Sequence, residues 1–306
     1  MSQSSTSDAV ARDRLRGIAF MVVGVTLFAG HDALNKWLVT GYFVYQLLFL
    51  RSIFSLVPIF ILVGRAGVAK TLAIRNFRAL LFRGFLLFMA FSTWVAALDM
   101  VQLADMVAVG MSMPLAVTAF GAWFLGERVG ARRWAAVLVG FAGVLLIVGP
   151  SGEFPLPATM LALASVVFFA MAFVRTRRLG VTETAETMVL FQVVVNIVAS
   201  AIVLLVLPEQ WITPTSMDWG LFAATGLCAG LAQFCMTSAF RAAPLSVVAP
   251  FEYMGLVWAV VLGYVIWGNL PDGWSVAGAL VVVASGLYIV QREAALRRAG
   301  RRAARP

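Results

Sequence analysis

Long apolar runs follow one another along almost the whole chain, separated by short polar segments. Most of them reach the length of about 20 residues that a helix needs to cross a bilayer. The runs predict ten transmembrane helices, at Gly17–Val39, Val44–Val63, Ala79–Leu98, Ala104–Leu125, Trp134–Gly149, Ala158–Val174, Thr187–Leu207, Trp219–Ala239, Leu245–Gly268 and Trp274–Val290. We therefore predict an all-α integral membrane protein.

Composition supports this fold class. The chain is 62% hydrophobic and 12% charged, whereas soluble domains carry about 25% charged residues. The net charge of +9 does not indicate a nucleic-acid partner, because the basic residues are scattered among short loops and a tail. Cys228 and Cys235 lie seven positions apart on one predicted helix, which is too far for a disulfide.

Basic residues concentrate on one side of the predicted membrane. When alternate loops are assigned to opposite sides, 21 of the 23 Lys and Arg residues fall on the side of the N-terminus. The two exceptions are Lys36 and Arg51. Because cytoplasmic loops are rich in Lys and Arg, we predict a multi-pass protein of the cell inner membrane with both termini in the cytoplasm.

The chain also contains an internal repeat. Leu103–Gly126 and Leu245–Gly268 align without a gap, 142 positions apart. Each copy belongs to a unit of five predicted helices, and because five is odd the second unit enters the membrane from the other side. We predict two inverted-topology repeats, at residues 17–149 and 156–290, with a cytoplasmic tail at residues 1–16 and a basic cytoplasmic tail at residues 291–306.

Several motifs resemble those of one transporter superfamily. They include LGER at residues 125–128, followed by Trp134, and APFEY at residues 249–253. Through these motifs the chain resembles the drug/metabolite transporters, in particular the EamA-type members with ten helices in two five-helix repeats. The segment HDALNKW at residues 31–37 is most similar to the branch that transports riboflavin and S-adenosylmethionine. Asn269 departs from the pattern, since the second repeat usually carries a Glu at that place.

This resemblance implies a central cavity lined by the first, third, fourth, sixth, eighth and ninth helices, with the fifth and tenth towards the periphery. On the lining helices we expect the substrate-binding residues Asp32, Trp94, Met111, Gln233, Tyr253 and Trp258. The aromatic members offer faces on which a flat ring system stacks, although lipid-facing or packing roles are as common for such residues.

Two charged residues lie at a similar depth below the outer face, Asp32 in the first helix and Arg51 in the second. One interpretation is that they form a buried pair that gates the pathway, or that one of them engages a charged group of the substrate. The other is that Asp32 pairs with Lys36 one helical turn away, with both side chains reaching the outer interface. The sequence leaves both open.

Four further residues are candidates for coupling or movement. His31 has a side chain that can titrate near neutral pH and couple transport to protons, but a lone His near a helix end is also a common hydrogen-bonded interface residue. Glu252 lies about 10 Å deep in the ninth helix. A carboxyl group there either carries a proton, bonds permanently to a basic residue such as Arg241, or caps the helix after Pro250. Pro114 and Pro250 lie inside the fourth and ninth helices and are expected hinges.

These features predict a secondary transporter that moves a small organic metabolite by alternating access. Riboflavin-like uptake is one interpretation, export of amino acids or related metabolites is a second, and a membrane receptor or scaffold is a third. The sequence shows no nucleotide-binding loop, catalytic triad or metal-ligand cluster, so we expect no enzyme, cofactor or metal. The bilayer and a small molecule are the expected partners, with protons as a candidate coupling ion and a homodimer as a candidate assembly.

Replacement of Glu252 by Gln tests the coupling hypothesis. If Glu252 carries the coupling proton, the Glu252→Gln protein still exchanges substrate across liposome membranes, but a pH gradient no longer accelerates uptake because position 252 cannot titrate. Uptake of labelled substrate with and without the gradient measures both properties. Gradient-driven transport equal to that of the unsubstituted protein would rule this role out.

Overall fold

The computed structural model of the protein describes residues 2–125, 130–148, 155–180, 182–242 and 245–303. These residues form α-helices and one short 3-10 helix at Pro208–Gln210, and no strand occurs among them. The α-helices are α1 (Ser2–Val39), α2 (Val44–Ala66), α3 (Val68–Thr71), α4 (Phe77–Met100), α5 (Leu103–Gly110), α6 (Met113–Leu125), α7 (Ala131–Val148), α8 (Leu156–Leu179), α9 (Ala185–Val206), α10 (Ser216–Ala242), α11 (Leu245–Glu252), α12 (Met254–Trp267) and α13 (Gly273–Ala303).

Ten segments correspond to the ten predicted helices. In the described part of the chain nine helical segments are long and apolar enough to cross a membrane, and a tenth, Trp134–Val148, is shorter. Two of the ten are interrupted, since the fourth predicted helix consists of α5 and α6 and the ninth of α11 and α12. The predicted fold class, ten membrane helices in two five-helix inverted repeats, is confirmed.

The two repeats pack against each other through several pairs of helices. The most extensive helix contacts join a helix of one repeat to a helix of the other, and they pair α1 with α10, α4 with α8, α2 with α9 and with α10, and α7 with α13. Inverted symmetry relates the first two of these pairs, because α1 and α8 begin the two repeats and α4 and α10 are the third helices. A large interface between the repeats is therefore built twice, once in each orientation.

The two interrupted helices break at matching positions. Between α5 and α6 the break lies at Met111 and Ser112, and between α11 and α12 it lies at Tyr253, which is 142 positions after Met111. Pro114 is the second residue of α6, a place where a helix has no internal partner for an N–H group. Pro250 lies inside α11, three residues before the break. The hinge role of both prolines stays a prediction.

Glycines permit the closest helix contacts. A Cβ atom added at Gly226 or Gly230 of α10 would collide with α2, at the carbonyl oxygen of Arg51 and at the ring of Pro58, respectively. A Cβ atom at Gly278 of α13 would lie 2.5 Å from the carbonyl oxygen of Gly143 in α7. Because the colliding atoms belong to backbone or to a rigid ring, these pairs of helices can approach only where the side chain is absent.

Replacement of Gly278 by Ala is expected to lower the thermal stability of the purified protein. The added methyl group must push α13 away from α7, and overpacking of this kind costs about 1–3 kcal/mol. Gly220→Ala is the matched control, because a Cβ atom there meets nothing within 4 Å, and it should leave the melting temperature unchanged or slightly raised. Equal melting temperatures for Gly278→Ala and Gly220→Ala would contradict the close contact.

Candidate substrate site

A cavity of about 60 Å³, lined by both polar and apolar side chains, lies between the repeats near the middle of the helices that form it. Three of these helices, α1, α2 and α4, belong to the first repeat, and α9 and α10 belong to the second. The polar side chains that line the cavity are His31, Arg51, Ser52, Ser55, Gln192, Asn196 and Gln233. Phe28 and Phe91 contribute aromatic rings to the same wall.

His31 joins three helices at the edge of this cavity. Its side chain is buried, and Nδ1 lies 3.1 Å from the carbonyl oxygen of Thr225 in α10. Nε2 lies 2.9 Å from Arg51 Nη1 in α2 and 2.9 Å from Asn35 Nδ2 in α1. A carbonyl only accepts, so Nδ1 carries the hydrogen, and Nε2 faces two donors and accepts from them. The contacts therefore specify a neutral imidazole with the hydrogen on Nδ1.

Arg51 is the buried cation of the cavity, with 5% of its surface exposed. It donates to His31, and its guanidinium lies 5.0 Å from the ring centre of Phe91, a cation–π distance. Asp32 acts on it through charge and is itself approached by the indole N–H of Trp94. The predicted association of Asp32 with Arg51 thus has an electrostatic counterpart in the structure, in which no direct hydrogen bond joins the two among the described contacts.

Lys36 does not pair with Asp32, as one interpretation of the sequence had it. Its Nζ atom donates instead to the carbonyl oxygens of Leu98, at 2.9 Å, and Val101, at the end of α4. The ammonium also lies 5.6 Å from the ring centre of Trp267. A lysine in this position satisfies carbonyl groups that the end of a helix leaves unpaired, so its place is explained by structure alone.

The structure brings some of the predicted site residues together and separates others. Five of them form one group at the cavity or directly beside it: His31, Asp32, Arg51, Trp94 and Gln233. The other predicted residues do not line this cavity. Among them, Met111 contacts the position of Gly255 in α12, and the hydroxyl of Tyr253 contacts Gly286 of α13.

Glu252 and Trp258 are both partly buried on the ninth membrane segment. Glu252 is the last residue of α11 and lies away from the residues that line the cavity. Its alternative partner, Arg241, has a side chain outside the described part of the structure. The proton-coupling role of Glu252 stays a prediction, and so does substrate binding by Trp258.

Two asparagines of the site were missed by the sequence reasoning. Asn35 and Asn196 are buried, and the Oδ1 atom of each accepts no hydrogen bond from the described residues. Asn35 follows His31 by one helical turn, and Asn196 belongs to a polar stripe with Gln192 and Ser200 at intervals of four. Such a stripe in an otherwise apolar helix indicates a face that is turned away from lipid, and it was a usable signal.

Comparison with known proteins gives the family. A sequence model described as the EamA-like transporter family matches residues 15–149 and again residues 156–291. This chain belongs to the EamA-like transporter family. The resemblance in the motifs is therefore confirmed, and so is the expectation that the protein is a transporter and not an enzyme.

Relatives within the family carry different substrates. The chain is 26% identical over 279 residues to the S-adenosylmethionine uptake transporter of Rickettsia conorii, and the alignment covers 91% of this chain and 94% of the relative. It is 30% identical over 230 residues to the riboflavin transporter of Vibrio cholerae, with coverage of 74% and 76%. It is 29% identical over 273 residues to the pseudopaline exporter CntI of Pseudomonas aeruginosa, with coverage of 87% and 93%.

One solved crystal structure shares the fold, with a TM-score of 0.64 and 20% sequence identity over 92% of this chain and 98% of that chain.

Both uptake and export occur among the three named relatives. Membership of the family therefore establishes transport across a membrane and leaves the substrate and the direction to the residues of the site.

The tautomer of His31 can be measured directly, because the protein has a single histidine. In NMR spectra of protein labelled with ¹⁵N-histidine, we expect a protonated Nδ1 and an unprotonated Nε2. Arg51→Leu removes a donor that faces Nε2 and should shift the Nε2 resonance. Arg65→Leu is the control on the exposed end of the same helix and should leave the spectrum unchanged. A hydrogen on Nε2 in the unsubstituted protein would contradict the assigned bonds.

Proposed function

We propose that this protein is a secondary transporter of a small organic metabolite that bears a carboxylate, with Arg51 as the residue that binds the carboxylate. Inverted repeats support alternating access, since they provide two related arrangements around one site. The cavity between the repeats, with the charged and amide side chains on its wall, supports the location of that site. Amino acids and amino-acid derivatives are the class of substrate that fits best.

The proposal rests on the N–H donors of Arg51 that have no partner among the described residues. A guanidinium has five N–H donors, and among the described residues Arg51 uses one hydrogen bond, to His31. A cation inside a membrane protein is costly unless it is compensated. Asp32 supplies charge without a direct hydrogen bond to Arg51. A substrate carboxylate would bond the remaining donors in the two-pronged geometry that Arg favours.

A second group of the substrate is expected at Asn196. Asn196 lines the cavity, and its buried Oδ1 atom accepts no hydrogen bond from the described residues, so a small reorientation of the amide would offer an acceptor to a donor such as an ammonium group or a bound water. Asp32 also interacts with Arg51 through charge. Together the acceptors and the guanidinium would complement a zwitterion, which is the head group of an α-amino acid.

Riboflavin-like uptake is the second candidate, and the aromatic lining supports it. Phe28 and Phe91 lie on the cavity wall, and Trp94 lies beside Asp32, so that a flat ring could stack there. Export of amino acids or related metabolites uses the same residues in the other direction. The sequence places 21 of 23 basic residues on the side of the termini, so we propose an inner-membrane protein with cytoplasmic termini.

Thermal-shift measurements on the detergent-purified protein test the substrate class, with S-adenosylmethionine, riboflavin and the amino acids as probes. A ligand at a hundredfold excess over its dissociation constant adds about 2.7 kcal/mol of apparent stability. We expect stabilisation by a carboxylate-bearing probe and its loss in Arg51→Gln, where affinity falls by roughly tenfold or more because a charged hydrogen bond is lost. Arg65→Gln is the matched control and should bind as the unsubstituted protein does.

The methyl ester of the stabilising probe identifies the group that Arg51 contacts. Since the ester has no carboxylate, it should bind weakly to the unsubstituted protein and no more weakly to Arg51→Gln. Stabilisation by riboflavin alone, unaffected by Arg51→Gln, would refute the carboxylate proposal and favour the flavin alternative. An ester that binds as well as the acid would refute it too.

A further inference from the structure

Hydrogen bonds join the two repeats at the membrane face opposite to the chain termini. Gln46 at the start of α2 bonds the backbone of Ile212 twice, with Nε2 2.6 Å from its carbonyl oxygen and Oε1 3.0 Å from its nitrogen. The hydroxyl of Tyr42 donates to Asp218 Oδ2 at 2.6 Å. Burial and the neighbouring carboxylate both raise the pKa of Tyr42, so this hydroxyl keeps its proton and donates. We call these four residues the opposite latch.

A second group of hydrogen bonds joins the repeats at the face on which the termini lie. The buried carboxylate of Glu183, just before α9, accepts from the backbone nitrogens of Arg75 at 2.9 Å and Asn76 at 2.6 Å. Thr187 in the first turn of α9 donates to the carbonyl oxygen of Thr71 at 2.7 Å. These bonds also join the first repeat to the second. We call these five residues the terminal latch.

The repeat relates the two latches residue by residue. Gln46 and Thr187 are 141 positions apart, and so are the residues whose carbonyl oxygens they bond, Thr71 and Ile212. In both latches a side chain at the start of the second helix of one repeat bonds the loop before the third helix of the other repeat. The same contact is thus formed twice, once at each face of the membrane.

The remaining hydrogen bonds of the two latches also lie at matching positions of the repeats. Tyr42 and Glu183 are also 141 positions apart, and each precedes the second helix of its repeat. Glu183 bonds Arg75 and Asn76, whose matching positions are 216 and 217, and Tyr42 bonds the next residue, Asp218. The chemistry of the two latches differs, yet their place in the repeat is the same.

The latches lie at the two ends of the helices that hold the cavity. α2 starts at the opposite latch and lines the cavity from Arg51 to Ile59, and α9 starts at the terminal latch and lines it from Val189 to Asn196. With both latches closed, the cavity of about 60 Å³ is far below the roughly 300 Å³ that a site for a whole small molecule requires. The helices that line the cavity must therefore move apart before a metabolite can enter.

We infer that the two latches are the gates of the transport pathway, and that release of one of them opens the cavity to its own face of the membrane. Each gate is held by a few hydrogen bonds with a small net free energy. Loss of one bond should therefore shift the gate towards the open state without unfolding the protein. Because the latches are on different faces, such substitutions should act on one face only.

A cysteine on the cavity wall reports opening from each side. In a protein with Cys228→Ser and Cys235→Ala, the substitution Ala229→Cys places a thiol on the cavity wall. A membrane-impermeant maleimide is then added either outside or inside reconstituted vesicles of known orientation, and the labelling rate is measured. No substrate is needed, so the result does not depend on the substrate class.

Tyr42→Phe removes one hydrogen bond of the opposite latch, that to Asp218, and Thr187→Val removes one of the terminal latch, that to the carbonyl oxygen of Thr71. We expect Tyr42→Phe to raise the labelling rate from the opposite face by roughly two- to tenfold, the effect of one net hydrogen bond, and Thr187→Val to do the same from the terminal face. Gln46→Met is a second variant of the opposite latch, and Glu183→Gln should preserve the terminal one because an amide oxygen still accepts.

Matched controls separate gating from general loosening. Tyr45→Phe and Thr118→Val make the same two substitutions away from the latches. Among the described residues Thr118 bonds within its own helix, to the carbonyl oxygen of Pro114. Both should label at the unsubstituted rate. Labelling that rises equally from both faces in a latch variant, or that stays at the unsubstituted rate in all latch variants, would overturn the assignment.

Discussion

The structure depends on one constraint, which is that a polar group inside the bilayer must find its partner within the protein. Two buried cations meet it with two hydrogen bonds each. Lys36 bonds two carbonyl oxygens at the C-terminal end of α4, and Arg83 bonds the carbonyl oxygen of Met188 and the hydroxyl of Thr176. Among the described residues Arg51 has one neutral hydrogen-bond partner, His31. The least satisfied of these three cations is the one that lines the cavity, which is why we place the substrate there.

Inverted repetition extends the same constraint to both faces of the membrane. Each closed face needs hydrogen bonds between the repeats, and the repeat provides them at matching positions, at Gln46 in one copy and Thr187 in the other. The interruptions at Met111 and Tyr253 match as well. A structure built twice in opposite orientations therefore has two similar ends, and small differences in their hydrogen bonds are enough to favour opening at one of them.

Family membership and site chemistry answer different questions about this protein. Relatives of similar identity are named for S-adenosylmethionine uptake, riboflavin transport and pseudopaline export. The shared fold accounts for movement across a membrane, whereas the cargo depends on a few side chains in the cavity. In this chain those side chains include the guanidinium of Arg51 and the amide of Asn196, and the proposal of a zwitterionic substrate rests on these two groups.

The sequence by itself determined the ten helices, their inverted repetition and the family, because the length of an apolar run and a repeated pattern are properties of the local chain. It also indicated that His31, Asp32 and Arg51 matter, since each is costly in a membrane. Only the tertiary structure decided the partners. Lys36 bonds the C-terminal end of α4, and the hydroxyl of Tyr253 contacts α13. Asn196 of the second repeat lines the same cavity as Arg51 of the first. These contacts join residues far apart in the chain, and no local pattern specifies which helix faces they bring together.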